Sequence, residues 1–312
     1  SIDTHLLRQA RVLFAGAIET PGGLKIQTIH SFCAGLLRRF PLEAGISPQF
    51  TEMEDRAAEL LRAEVVDAMV LGADADVTHG LAQHFSGEGL SKITAEIASH
   101  GARFLGQMDE AALAASLGLQ PDASRDDAID IAFDGSEASI VSDLAAVFSG
   151  QSKTYVNFAA DLAALNLTSP QWDDLTVLFS KFLYAKDKTS KSINFPPSNH
   201  SKAVEAMAPI AEDVHAWMDR TATAFQHLNA CAALEKTRAL YAFASKFVPQ
   251  MEDAKLRRGM LSFDDQIRKA RALLTDPVVA QWVLFRLDGG IDHILVDEAQ
   301  DTSPDQWAVI RN

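Results

Sequence analysis

The chain has 312 residues, of which 47% are hydrophobic, so it is long enough for two domains with buried cores. Its formal net charge of −14 argues against a protein that coats nucleic acid through a generally basic surface, although it leaves room for a local basic track. Cys33 and Cys231 lie far apart without metal-ligand spacing, as is typical of free thiols in a reducing compartment. No apolar run approaches the ~20 residues of a membrane span and no signal peptide opens the chain, so we expect a cytoplasmic protein with no membrane contact.

The two ends lead us to expect a piece of a longer protein. The chain begins with Ser1, already inside a helical pattern, and stops at Asn312, barely two turns into a new helix.

The first 50 residues predict a helix, a strand and a second helix. Apolar positions from Ile2 to Ile18 recur at helical spacing, and the Pro and Gly of Glu19–Gly23 end that helix. Leu24–His30 alternates apolar and polar residues, as a short strand does. The pattern returns to helical period from Ser31, whose side chain suits an N-cap.

Residues 51–260 predict helices almost throughout. The amphipathic stretch Glu54–Leu71 opens this region, and the Gly-free helical run Lys202–Arg258 closes it. A polar segment, Ala185–Ser201, is predicted as a loop, and the region shows neither a repeat of fixed period nor a β-hairpin signal.

The pattern changes again after the long helical run. Ser262, with Asp265 three residues later, predicts an N-cap close to a capping box. Gly289–Glu298 is a Gly-bounded, β-branched run long enough for one buried strand. Ser303 and Pro304 then suit the N-cap and first turn of a last helix.

These elements predict a mostly helical chain with an α/β part. One strand lies near each end, and the roughly 200 mainly helical residues between them are too many for a structureless loop. The simplest topology consistent with these elements is an incomplete α/β domain, formed by residues 1–50 and 261–312, with an all-helical domain of residues 51–260 inserted into it.

The acidic pair Asp297–Glu298 follows the second predicted strand. The carboxyl end of a parallel strand is the edge at which α/β sheets bind ligands. Asp297 would hold Mg²⁺, a hard ion that takes carboxylate and phosphate oxygens, and Glu298 would orient and deprotonate an attacking water. The alternative is an Asp-Glu pair that merely caps the next turn.

A phosphoryl-transfer site of this kind also needs a loop that holds the phosphates. The usual loop is GxxxxGK followed by Ser or Thr, yet none of the 17 glycines is followed by Lys. Either the acidic pair has another role or the phosphate loop precedes Ser1. The two ends of the chain favour the second interpretation.

Three segments carry a family resemblance. Ile294–Trp307 resembles motif II of superfamily-one UvrD/Rep-like helicases, Ile26–Pro41 resembles their Thr-x-His-Ser segment, and Leu261–Ile267 resembles the segment that follows their helical insertion. The amino-acid sequence near both ends is similar to that of the AddA subunits of bacterial AddAB helicase-nucleases. The resemblance covers roughly the first 50 and last 50 residues. It implies a partial RecA-like P-loop NTPase domain, the first motor domain or 1A, with a helical domain, 1B, inserted into it.

For ATP, the resemblance implies Asp297 as the Mg²⁺ ligand and Glu298 as the catalytic base. Gln300 and Asp301 would couple the γ-phosphate state to the DNA-contacting segments. The implied activity is ATP-driven translocation along single-stranded DNA in double-strand break repair and recombination. The family's P-loop, second motor domain and nuclease domain are not in the sequence, so we expect the chain alone to be inactive and to bind ATP and Mg²⁺ weakly.

For DNA, the resemblance places Thr28, His30, Ser31 and Phe32 along the path of the strand. Hydroxyl and imidazole donors at a helix N-terminus suit phosphate, and Phe32 can stack on a base. The alternative is a satisfied buried His30 and an ordinary core Phe32. The implied partners are single-stranded DNA, a duplex end and an AddB-type subunit.

A lysine-rich segment in the helical region has two interpretations. Lys181, Lys186, Lys188 and Lys191 alternate with aromatic residues, as in a DNA-contacting strip, but such mixtures are also typical of solvated loops. An alternative function is therefore a non-enzymatic helical module that binds DNA or a partner subunit. Kinship with superfamily-two DEAD-type helicases is disfavoured by the Gln-Asp-Thr that follows the acidic pair.

Overall fold

The computed structural model describes residues 4–19, 26–287 and 294–311, and these are mainly helical. The chain divides into two compact units, one formed by residues 1–105 and 244–312 and the other by residues 106–243. In the described part of the chain, no helix is both long and apolar enough to cross a membrane.

The elements of the first unit that precede the second are α1 (Thr4–Glu19), α2 (Ile29–Arg39), β1 (Thr51–Glu52), α3 (Asp55–Leu71), α4 (Ala75–Ala82) and α5 (Glu88–Ser99). The later elements are α6 (Glu110–Ser116), α7 (Asp127–Ala132), α8 (Glu137–Phe148), α9 (Lys153–Ala163), α10 (Trp172–Phe182), α11 (Ser201–Met207), α12 (Ala211–Arg258), β2 (Met260–Leu261), α13 (Phe263–Thr275), α14 (Ala280–Leu287) and α15 (Pro304–Arg311). Short 3₁₀ turns lie at Gly101–Phe104, Ser192–Asn194, Ala208–Ile210 and Ala299–Asp301.

The described residues form one small parallel sheet. Thr51 of β1 lies opposite Met260 of β2, and Thr51 N donates to Gly259 O at 2.8 Å. Gly259 has a φ of +59°, a left-handed conformation in which glycine ends α12 without a Cβ clash. The chain therefore returns beside β1 after the long helical region.

The two predicted strands are wrong for their described residues. Ile26–Thr28 is irregular and Ile29 already belongs to α2, while Ile294–Val296 is also irregular; residues 24–25 and 289–293 lie outside the described residues. An extended segment needs a neighbouring strand for its backbone groups, and no described strand lies beside either segment. Ile26 and Leu295 accordingly stay exposed, at 85% and 99%.

The predicted N-cap of α2 also needs correction. Thr28, not Ser31, has the extended backbone of the cap, and its Oγ1 accepts from Ser31 N at 3.2 Å. Thr28 Oγ1 also donates to Ser31 Oγ at 3.0 Å. The helix therefore begins earlier than predicted, because Thr caps as Ser does and the β-branched Ile29 tolerates a first turn.

The core of the first unit forms around α13. This helix packs against both α2 and α15. Its predicted capping box is confirmed, since Ser262 and Asp265 exchange bonds between side chain and backbone. The buried side chains of this cluster are Cys33, Ala34, Leu36, Leu37, Phe40, Ile46, Phe50, Leu261, Ile267, Ala270, Leu273, Leu274, Val283 and Val309.

The second unit has its own core. Trp217, Phe148 and Phe182 are fully buried there, and the rings of Phe182 and Trp217 meet edge to face at 4.9 Å. The predicted Gly-free helical run is confirmed in its main part, as the 48-residue helix α12. A 3₁₀ turn at Ala208–Ile210, which contains a proline, separates α12 from α11.

Candidate nucleotide and DNA site

The acidic pair lies on a tight, exposed turn. Glu298 has a φ of +49°, the left-handed region that non-glycine residues rarely occupy, at a cost of about 1–3 kcal/mol. Its N–H donates to Asp297 Oδ1 at 2.9 Å, and Gln300 Nε2 donates to its carboxylate. Asp301 N donates to Glu298 O at 2.9 Å. The other three residues predicted to act on ATP, Asp297, Gln300 and Asp301, are thus all hydrogen-bonded to Glu298. The conformation of Glu298 therefore holds the turn together.

The turn leads into α15, which anchors it to the first unit. Ser303 Oγ accepts from Gln306 N at 3.3 Å, and Ser303 N donates to Gln306 Oε1 at 2.8 Å. Pro304 follows as the first helical residue, so the predicted cap is confirmed. Asp305 pairs with Arg271 of α13 at 2.5 Å, and Val309 is buried in the core.

The residues predicted to lie along DNA form the N-terminus of α2. Thr28 and Ser31 are exposed, His30 is half-buried, and Phe32 is half-buried against the core of the first unit. The hydroxyls of Thr28 and Ser31 and the ring of His30 therefore reach the surface at a helix N-terminus. The packing of Phe32 favours a structural role for that ring.

Phe263 is a neighbour that sequence reasoning missed. Its ring lies 5.1 Å from that of His30, centroid to centroid, at an interplanar angle of 69°, and the residue is 45% exposed. It thus supplies an exposed aromatic surface at the junction where Phe32 was expected to do so. The signal was its place in Leu261–Ile267, a segment considered only for its connectivity.

Asp297 is the member of the pair that could serve as a ligand of a magnesium ion. No group of three or more potential metal ligands occurs among the described residues. Mg²⁺ in nucleotide sites commonly takes only one or two carboxylates beside phosphate oxygens and waters. Asp297 is exposed, and of its carboxylate only Oδ1 has a hydrogen bond within the described turn.

The lysine-rich segment is not a continuous basic strip. Lys181 pairs with Asp161, and Lys191 Nζ donates to Lys181 O at 2.8 Å, close to the end of α10. Burial, aided by the charge of Lys181, lowers the pKa of Lys191. Only Lys186 and Lys188 remain exposed near the tip of a hydrogen-bonded turn, closed by a bridge between residues 183 and 190 that the sequence did not predict.

The charge of the second unit also argues against a broad DNA-binding surface there. Residues 106–243 contain 10 Lys and Arg against 18 Asp and Glu, a net charge of −8. Affinity for DNA comes largely from neutralised phosphates, so such a unit repels DNA unless a local cluster compensates.

Comparison with known proteins agrees with the motifs. Residues 9–312 match the pattern of the UvrD/REP helicase N-terminal domain. The chain is also 24% identical, over 352 aligned positions, to an ATP-dependent helicase/nuclease subunit of Listeria monocytogenes serotype 4b (strain F2365). That alignment covers 99% of this chain and 27% of the relative, so the chain spans about a quarter of its length. The resemblance seen in the motifs is confirmed, and because the family pattern extends from residue 9 to the last residue, the chain belongs to the UvrD/REP helicases.

Proposed function

We propose that this chain contributes the magnesium-binding and DNA-contacting parts of the first motor domain of an AddA-type ATP-dependent DNA helicase. The observation that supports this best is the position of α13 within the first unit. It packs against α2, which begins at the candidate DNA junction, and against α15, which follows the acidic turn. Coupling ATP hydrolysis to DNA needs a physical connection between the two sites, and α13 is in contact with an element of each.

On the nucleotide side, Asp297 carries the carboxylate for Mg²⁺ and Glu298 acts as the base toward the attacking water. The bound ion would neutralise charge on the transferring phosphate. Gln300, hydrogen-bonded to Glu298, holds that carboxylate in place, and Asp301 continues the same turn toward α15. The phosphate-holding loop would come from another part of the protein, since the sequence contains none.

On the DNA side, Thr28 and Ser31 offer hydroxyls to phosphate, and His30 with Phe263 offers an aromatic edge and face to a base. Base stacking on such rings is worth about 1–3 kcal/mol per base. Phe32 supports this surface from the core side.

The wider setting follows from the family and belongs to the same proposal. Residues 1–50 and 261–312 would form part of domain 1A and residues 51–260 the inserted domain 1B. The compact units divide the chain elsewhere, because residues 51–105 and 244–260 belong to the first unit. The partners would be single-stranded DNA, a duplex end and an AddB-type subunit, and the setting would be cytoplasmic double-strand break repair.

The test is DNA-stimulated ATP hydrolysis by the full protein. Glu298→Gln should lower kcat about 100-fold or more while ATP still binds, because a positioned general base contributes about 10²–10⁴ to a rate. Asp143→Asn, an exposed carboxylate of α8, is the matched control and should leave kcat unchanged. An unaltered rate in Glu298→Gln would refute the assignment. ATP hydrolysis by the 312-residue chain alone that is lost in Glu298→Gln would instead refute the expectation that the chain alone is inactive.

A further inference from the structure

A buried ion pair lies where α12 ends and α13 begins. The side chains of Lys255 and Asp265 are only 8% and 4% exposed, and Lys255 Nζ lies 2.7 Å from Asp265 Oδ2. Lys255 also contacts Glu252 Oε1 at 2.6 Å, and Arg268 donates to the other carboxylate oxygen of Asp265. Because breaking either contact would leave a charge away from water, this carboxylate is held in one geometry.

The same carboxylate closes the first turn of α13. Asp265 Oδ2 accepts from Ser262 N at 3.1 Å, and Asp265 N donates to Ser262 Oγ at 3.1 Å. Phe263 lies between these two residues in the sequence. The direction in which its ring leaves the backbone is therefore set by the capping box, and the capping box is set by the buried pair.

Phe263 connects this arrangement to the candidate DNA junction. Its ring is 45% exposed and meets the ring of His30 at 5.1 Å. A phenyl ring has no hydrogen-bonding group that could fix it from outside. Its orientation toward His30 therefore depends on the backbone of the turn that carries it.

We propose that Asp265, held by Lys255, is a positioning residue for the His30–Phe263 pair and thereby sets the affinity of the protein for single-stranded DNA. The inference rests on the proposed function, in which this pair contacts a base. Asp265 itself is buried and acts only through the turn.

The experiment measures binding of a fluorescent oligo-dT by the full protein at fixed salt. Asp265→Asn and Lys255→Met should each raise Kd about fivefold or more, the lower end of the loss of one stacked base. Arg257→Met is the matched control for charge, because it removes a cation from the same helix end but breaks only an exposed pair with Asp253. It should change Kd less than about twofold, in keeping with the small contribution of exposed pairs.

A double-mutant cycle separates positioning from general destabilisation. In the Phe263→Ala background, Asp265→Asn should raise Kd no further, because its effect acts through the missing ring. Additive effects would overturn the inference, as would a folded Asp265→Asn protein with unchanged Kd. If Asp265→Asn does not fold, Ser262→Ala replaces it in the cycle, keeps all charges and should give a smaller, equally non-additive increase; an unchanged Kd there also overturns the inference.

The proposed function fails by a different result. If His30→Ala and Phe263→Ala both leave the Kd of the protein for oligo-dT unchanged, the junction does not contact DNA, whatever Asp265 does.

Discussion

Gln266 is the polar side chain of α13 whose substitution should raise the stability of the protein. The residue is 0% exposed, and neither Nε2 nor Oε1 has a hydrogen-bond partner among the described residues. An unmet buried polar group costs about 1–3 kcal/mol. Gln266→Met keeps the length and flexibility of the side chain and removes both polar atoms, so we expect a stabilisation of about 1–3 kcal/mol.

Thermal unfolding of the purified chain measures this gain. For a domain of 150–250 residues, 1 kcal/mol corresponds to about 2–4 °C in Tm, so Gln266→Met should raise Tm by about 2 °C or more. Gln250→Met is the matched control, since Gln250 is half-buried and its Nε2 donates to Asp74 Oδ2 at 2.8 Å. That variant should lower Tm. A fall in Tm for both variants would show that the amide of Gln266 is paired, and would refute the reasoning.

Three further predictions rest on burial and charge. Burial raises the pKa of the Cys33 thiol to about 11. Burial and the nearby carboxylates of Asp127 and Glu235 raise the pKa of the Cys231 thiol. Both thiols should therefore react with a disulfide reagent only after the protein is unfolded in urea. Lys191→Met should lower stability by about 1 kcal/mol in denaturant titrations, whereas Lys186→Met should not, because only Lys191 has its ammonium bonded to a carbonyl near a helix end. Burial opposes ionisation of Asp265, but Lys255, Ser262 and Arg268 lower its pKa overall. The contribution of the Asp265 carboxylate to stability should be complete above its unfolded pKa of about 3.9 and be lost as pH falls through the lower folded pKa. The free energy of unfolding of Asp265→Asn, measured in denaturant titrations at several pH values, should therefore depend less on pH than that of the unsubstituted protein, but only below about pH 4.

Local signals in the sequence predicted most helices and two of the three N-caps, Ser31 being the exception. The Ser262–Asp265 capping box and the Ser303–Pro304 start of α15 need only residues three or four positions apart, and both are present. The two predicted strands failed in their described parts because a strand depends on a partner that can lie far away in sequence. The pairing of β1 with β2, between Thr51 and Met260, is non-local in the same sense and left no pattern in the sequence.

The candidate site was predictable where a motif carried it and not where packing carried it. Asp297 and Glu298 stand out in the sequence as an acidic pair after an apolar run, but the left-handed backbone of Glu298 is visible only in the structure. The contact between His30 and Phe263 joins residues more than two hundred positions apart. Amphipathic spacing indicates that a helix has a buried face, but it does not indicate which distant ring that face will meet.

The strength of the link between the two candidate sites depends on which contacts of α13 carry it. The pair Arg271–Asp305 joins α13 to α15, but its side chains are 51% and 58% exposed, and such pairs contribute about 0–1 kcal/mol and weaken in salt. Ile267 and Val309, by contrast, are buried in the same core. Close-packed apolar side chains resist displacement and are not screened by ions. If α13 joins the nucleotide and DNA sites as proposed, high salt should raise the Kd for DNA through lost phosphate contacts. Saturating DNA should nevertheless still stimulate the rate of ATP hydrolysis at that salt concentration.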